Sequence, residues 1–114
     1  MLDLRPKDLR LLEHLIATRL PPSVEVWAYG SRVNGDAYEG SDLDLVLRGA
    51  ELEEIPVRVF AGFREAVSES NLPILVDVHD WAHLPERFHA RILARYEVLR
   101  PAQAEAPVAA VAGL

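Results

Sequence analysis

Apolar positions along the chain alternate between two rhythms. Leu9, Leu12, Leu15, Ile16 and Leu20 recur at helical spacing behind Pro6, which predicts an amphipathic helix from Arg5 to Leu20, stopped by Pro21-Pro22. Ser23 to Tyr29 (SVEVWAY) is rich in β-formers and predicts a strand ending at Gly30. A short helix is expected from Ser31 to about Tyr38, with Ser31 as its N-cap. Gly40-Ser41 turns the chain into a second strand from Asp42 to Leu47. Ile55, Val59, Phe63 and Val67 step by four and mark a helix over Pro56 to Glu69. Ile74 to Trp81 (ILVDVHDW) reads as a third strand. Phe88, Ile92, Leu93 and Tyr96 behind Pro85 predict a last helix to about Tyr96. This order gives an α+β fold, a small mixed β-sheet flanked by helices. One domain is expected over residues 1–100, followed by an Ala/Pro-rich tail over 101–114 expected to be disordered.

Composition narrows the function classes. The 114 residues carry a net charge of −6, which disfavours a protein that grips a nucleic-acid backbone. The one local basic density, Arg87, Arg91, Arg95 and Arg100, reads as a solvated or partner-facing helix face. With no cysteine there is neither a disulfide nor a thiolate metal site. No apolar run approaches a membrane span and MLDLRPKDLR is not a signal peptide, so a cytoplasmic protein is expected.

The chemistry concentrates in GSRVNGDAYEGSDLDLVL, from Gly30 to Leu47. Asp42 and Asp44 stand two apart in a predicted strand and so share a face. Adjacent carboxylates beside an apolar layer repel unless a cation sits between them, and hard oxygen ligands suit magnesium. Gly30 lacks the Cβ that would obstruct a ligand at the backbone, while Ser31 offers a hydroxyl and amide donors to an anion. Arg32 is a candidate to meet a phosphate oxygen, an exposed first-turn arginine being the equal alternative. Asp77, set among Leu75, Val76 and Val78, is the candidate third acid. Asp80 competes for that role, but falls on the opposite face at the strand's end, where a cap or surface role suits it better. His79 shares Asp77's face and is read as structural. Trp27, Tyr29 and Trp81 are read as packing residues, Tyr29 being the least settled of them.

Gly30-Ser31, ten residues and Asp42-x-Asp44 resemble the signature of the DNA polymerase β-like nucleotidyltransferase superfamily. From about Ser23 to Leu99 the chain is similar to its minimal nucleotidyltransferases, the MNT group, and the Asp77–Trp81 segment fits that group's third strand. The resemblance implies a small mixed sheet with helices on one face, in which Asp42, Asp44 and Asp77 hold two Mg2+ ions around a nucleoside triphosphate and Asp77 is a possible general base. Gly30, Ser31 and Arg32 would then lie on the nucleotide side. It further implies that AMP from ATP is moved onto a hydroxyl of a partner, a four-helix HEPN toxin, with this chain as antitoxin. A nucleotide-binding antitoxin acting by occlusion, and an enzyme modifying a small molecule such as an antibiotic, are the alternatives. Larger superfamily members add acceptor-binding domains, and these 114 residues show none.

Overall fold

A computed structural model describes residues 2–103; residues 104–114, most of the expected tail, lie outside the described residues. The elements are α1 (Pro6–Arg19), β1 (Glu25–Tyr29), α2 (Ser31–Asn34), β2 (Leu43–Arg48), α3 (Val57–Ser68), β3 (Val76–Asp80), α4 (Glu86–Ala94) and β4 (Glu97–Arg100). They form one four-stranded sheet in the order β3-β2-β1-β4. β1 is antiparallel to both β2 and β4, and β2 is parallel to β3. The fold is therefore the mixed α+β sheet that the hydrophobic pattern predicts.

Alternation divides the sheet into two unlike faces. Val26, Ala28, Leu43, Leu45, Leu47 and Val78 join Leu12, Ile16 and Leu20 of the α1 region and Phe63 and Val67 of α3 in the main core. Leu12, Leu43, Leu45, Leu47 and Phe63 are fully buried, each stabilising the fold by about 1.5–3 kcal/mol. Among the described residues, the other face buries Trp27, Val46, Trp81 and Ile92 of α4. Trp27 stacks on Tyr96 at 3.8 Å and meets Trp81 edge-on at 5.7 Å, so both tryptophans are packing residues. Helices thus cover one face fully, and α4 partly covers the second.

Several boundaries differ from the sequence reading, most of them by a residue or two at strand ends. The last helix ends at Ala94, because Arg95 is extended (φ −161°, ψ 114°) and the chain continues as β4 against β1. A four-residue strand is too short for its alternation to outweigh the preceding helical rhythm. Arg100 consequently lies in β4, not on a helix face. Its guanidinium donates to the carbonyls of Leu20, Pro21 and Val24, fastening the last strand under the α1–β1 connection. The second helix is a single turn, with Gly30 as its N-cap and Ser31 as its first helical residue. Gly35 ends it in the left-handed conformation (φ 87°) that glycine adopts without strain.

Candidate active site

The end of β1 and the starts of β2 and β3 meet on the sheet face that α4 only partly covers. Asp44 is the register partner of Tyr29 on one side and of Asp77 on the other. Parallel neighbours lie about 4.8 Å apart, and register partners project from the same face. Asp42 stands just before β2 rather than within it, exposed to solvent.

Asp42 and Asp77 both act electrostatically on Asp44. The Asp44 carboxyl is pushed above its usual 3.8, first by partial burial, then by the charges of Asp77 and Asp42, with His79 pulling the other way. The Tyr29 phenol is raised to about 12, by burial first and then by Asp44 and Asp77. Such a surplus of negative charge is relieved by a cation, and the all-oxygen donor set suits a hard divalent ion. Among the described residues no three His, Asp or Glu side chains are closed into a metal-holding cluster. Asp77 instead lies against His79, whose Nε2 is 3.1 Å from Asp77 Oδ2.

The sequence suggests Asp77 as an acid embedded among aliphatics, and the structure corrects the reason. Its side chain is 57% exposed, and what places it is its register opposite Asp44. Asp80 is the buried acid of β3, turned to the main core. Its carboxylate accepts from the backbone N–H of Ile55 and of Ala82, so it caps the turn after β3 and holds the β2–α3 link. His79, read as structural, belongs beside the acids; its two-residue spacing from Asp77 was the signal.

Gly30 fits the site in two ways. Its backbone (φ 82°, ψ −159°) lies in a region essentially restricted to glycine. A Cβ built there would overlap Asp44 Oδ2, with Cγ only 3.1 Å away. The turn therefore presses its backbone directly against the carboxylate, and Ser31 follows at the start of α2.

Arg32 is not brought to the carboxylates. Nε donates to Ser41 O at 2.9 Å, Nη1 to Asp3 O at 2.9 Å and Nη2 to Glu39 O at 3.0 Å, in a side chain that is almost fully buried. A buried guanidinium with all three nitrogens engaged by main-chain carbonyls is held in the fold rather than turned toward a phosphate. It staples the segment that delivers Asp42 to the N-terminal stretch around Asp3. Arg32→Ala is therefore expected to cost about 3 kcal/mol by orphaning these carbonyls, with Arg32→Lys recovering little because an ammonium cannot span all three. Equilibrium denaturation checks this; a loss below about 1 kcal/mol would remove the staple from the account.

The chain matches the nucleotidyltransferase domain family over residues 9–99. It is 40% identical over 101 residues to "Probable protein adenylyltransferase MntA" of Haemophilus influenzae, covering 87% of this chain and 84% of that one. Its fold is similar to a crystal structure of a toxin–antitoxin with AMP-PNP, at TM-score 0.66 and 16% identity over 87% of this chain and 76% of the other. A mutant MntA-HpeT toxin–antitoxin structure aligns at TM-score 0.66 and 15% identity, over 83% and 74%. Among the described residues no helix is long and apolar enough to cross a membrane. With the Gly30 turn against Asp44, Asp77 in register beside it, and a family match spanning most of its length, this chain belongs to the nucleotidyltransferase domain family.

Proposed function

We propose that this nucleotidyltransferase is a magnesium-dependent protein adenylyltransferase that moves AMP from ATP onto a hydroxyl of a HEPN-type toxin, and so serves as the antitoxin of that pair. The observation that carries the reading is Asp77 in register beside Asp44, next to a glycine turn that leaves no room for a side chain. The 40% identity to a relative named as a protein adenylyltransferase supports the reaction, and the toxin–antitoxin neighbours support the kind of partner.

In this reading Asp42, Asp44 and Asp77 hold two Mg2+ ions. Ions held there would supply Lewis-acid chemistry, favouring an ionised acceptor hydroxyl and a charged leaving pyrophosphate. Asp44, half-buried between its neighbours, fixes the centre of the set, and His79 orients Asp77. Asp77, exposed where Asp44 is half-buried, would take the acceptor proton. Gly30 lets the turn close on Asp44, and Ser31 would donate to the triphosphate oxygens. Partial burial of Tyr29 beside Asp44 keeps water from one flank of the reacting centre.

The test is transfer of label from ATP carrying a radioactive α-phosphate, with Mg2+ and the cognate partner. Label is expected on the partner with wild type and to fall by at least about 10²-fold with Asp77→Asn. Neutralisation of the toxin without transferred label, undiminished in Asp77→Asn, would mean that the chain works by occlusion. Label on an aminoglycoside instead of protein would assign the acceptor to a small molecule.

A further inference from the structure

β3 is an edge of the sheet: among the described residues only β2 pairs with it. The Leu43 N–H donates to the Leu75 carbonyl, and in a parallel ladder this assigns the main-chain groups of Leu75, Asp77 and His79 to β2. Those of Val76 and Val78 therefore point outward, without a partner among the described residues. An unpaired edge of this kind is a template for another strand. Beside it a cavity of about 420 Å³ separates β3 from α3. The α3 wall is one helical stripe, Val57, Phe60, Ala61 and Arg64, at i, i+3, i+4 and i+7. The β3 wall includes Asp77 and His79, so the groove opens at the carboxylate site. Val57, and Leu75 just before β3, are 74% and 75% exposed, an apolar surface at either end of the edge. Glu54 and His83 in the same wall pair with each other at 3.0 Å. Arg64 has no carboxylate within ion-pair distance among the described residues.

We infer that the toxin partner docks by laying an extended segment along this edge, as an added strand of the sheet whose inner side chains pack on α3. The inference rests on the nucleotide-transfer reading above. A strand added to β3 lies about 4.8 Å from it, and its alternate side chains leave on the face that carries Asp77. A hydroxyl residue in register with Asp77 then stands beside the carboxylates. The intervening side chains turn to the stripe of Val57, Phe60 and Ala61, which calls for apolar residues, while the unpaired Arg64 calls for an acid. The segment that fits is therefore extended, alternately apolar and polar, with one acidic residue and one acceptor hydroxyl. Main-chain bonds to Val76 and Val78 supply affinity without regard to sequence, and the groove supplies the selection.

Binding of the cognate toxin in the absence of ATP tests this. Calorimetry compares the full chain as wild type, Val57→Glu with Ala61→Glu, Arg64→Glu, and Arg10→Glu, an exposed α1 charge as control. All four side chains are exposed, so the variants are expected to fold. The double variant and Arg64→Glu are each expected to weaken the complex at least about tenfold, the Arg64 effect shrinking as salt is added, and Arg10→Glu to leave it unchanged. Mg-ATP, titrated into each, is expected to bind within about twofold of wild type, which separates a lost groove from a lost fold. Amide exchange followed by NMR reads the added strand itself: the Val76 and Val78 N–H groups are expected to slow at least about tenfold in the complex. If the groove variants bind the toxin as wild type does and both amides keep exchanging freely, the docking surface lies elsewhere, while label on the toxin keeps the adenylyltransferase reading. If sedimentation finds the chain alone to be a dimer with those amides protected, a second copy takes the edge and the inference falls. If wild type neither binds the toxin nor labels it, both readings fall.

Discussion

Gly30→Ala is expected to lower AMP transfer at least about 10²-fold and to destabilise the fold by about 1–3 kcal/mol. Two independent causes act at this one methyl group. The backbone angles at Gly30 (φ 82°, ψ −159°) are unfavourable for any residue with a Cβ, which alone costs on the order of 1–3 kcal/mol. The new Cβ would also overlap Asp44 Oδ2, so the carboxylate must rotate away or the turn must lift off β2. Either displacement moves a proposed metal ligand, and a shift of about 1 Å at a reacting centre costs roughly 10²-fold. Denaturant titration and α-labelled ATP transfer separate the two effects. An alanine variant that is destabilised but transfers at the wild-type rate would show that the close approach serves folding alone.

Asp44→Asn is expected to abolish transfer, by about 10³-fold or more, and yet to make the protein more stable at neutral pH. The loss follows because metal-assisted charge stabilisation is worth several kcal/mol and each 1.4 kcal/mol is about tenfold in rate. The gain follows from the raised Asp44 carboxyl, which partial burial and the charges of Asp77 and Asp42 push above its usual 3.8. Between that ordinary value and the raised one, the folded state holds the proton more tightly than the unfolded chain, so stability falls as pH rises through this window. The penalty is complete above the folded-state value and absent below the unfolded one. Because Asp44 is only half-buried, solvent screening limits it to a fraction of a kcal/mol up to about 1 kcal/mol, or roughly 2–5 °C in Tm for a chain of this size. The Tm advantage of the asparagine variant should therefore appear at pH 7 and vanish in strong acid. Mg2+ should raise the wild-type Tm and leave the variant's unchanged, since ligand binding stabilises only a state that binds. A variant less stable than wild type at pH 7 would mean that the carboxylates do not strain the fold.

Much of the architecture was legible in the chain because its core elements are amphipathic over many residues. The α1 and α3 rhythms and the alternation around Trp27 and Val46 each match an observed buried face. Asp42 and Asp44 were readable as a pair because two-residue spacing is a property of extended chain. What failed was short or non-local. β4 is only four residues long and acquires its identity from pairing with β1, and a local window around Arg95 to Arg100 does not contain β1. Arg32 looked like a phosphate contact because it follows Gly30-Ser31, but its three carbonyl partners, in Asp3, Glu39 and Ser41, come from chain that folding alone gathers around it. For Asp77 the conclusion and the argument came apart. Apolar neighbours in sequence suggested burial, yet the acid that β3 buries is Asp80.

The amino-acid order by itself determined the two periodicities, the glycine that tolerates a forbidden backbone, and the carboxylates at Asp42 and Asp44, because each of these is a property of a few consecutive residues. The tertiary structure alone decided that Asp77 stands in register beside Asp44, that Gly30 touches Asp44, and that α4 brings two arginines and a phenylalanine alongside that turn. Those relations depend on which strands pair and on the face from which each side chain leaves the sheet. Both are fixed by burial of the whole apolar surface at once, and no local stretch of the chain encodes them.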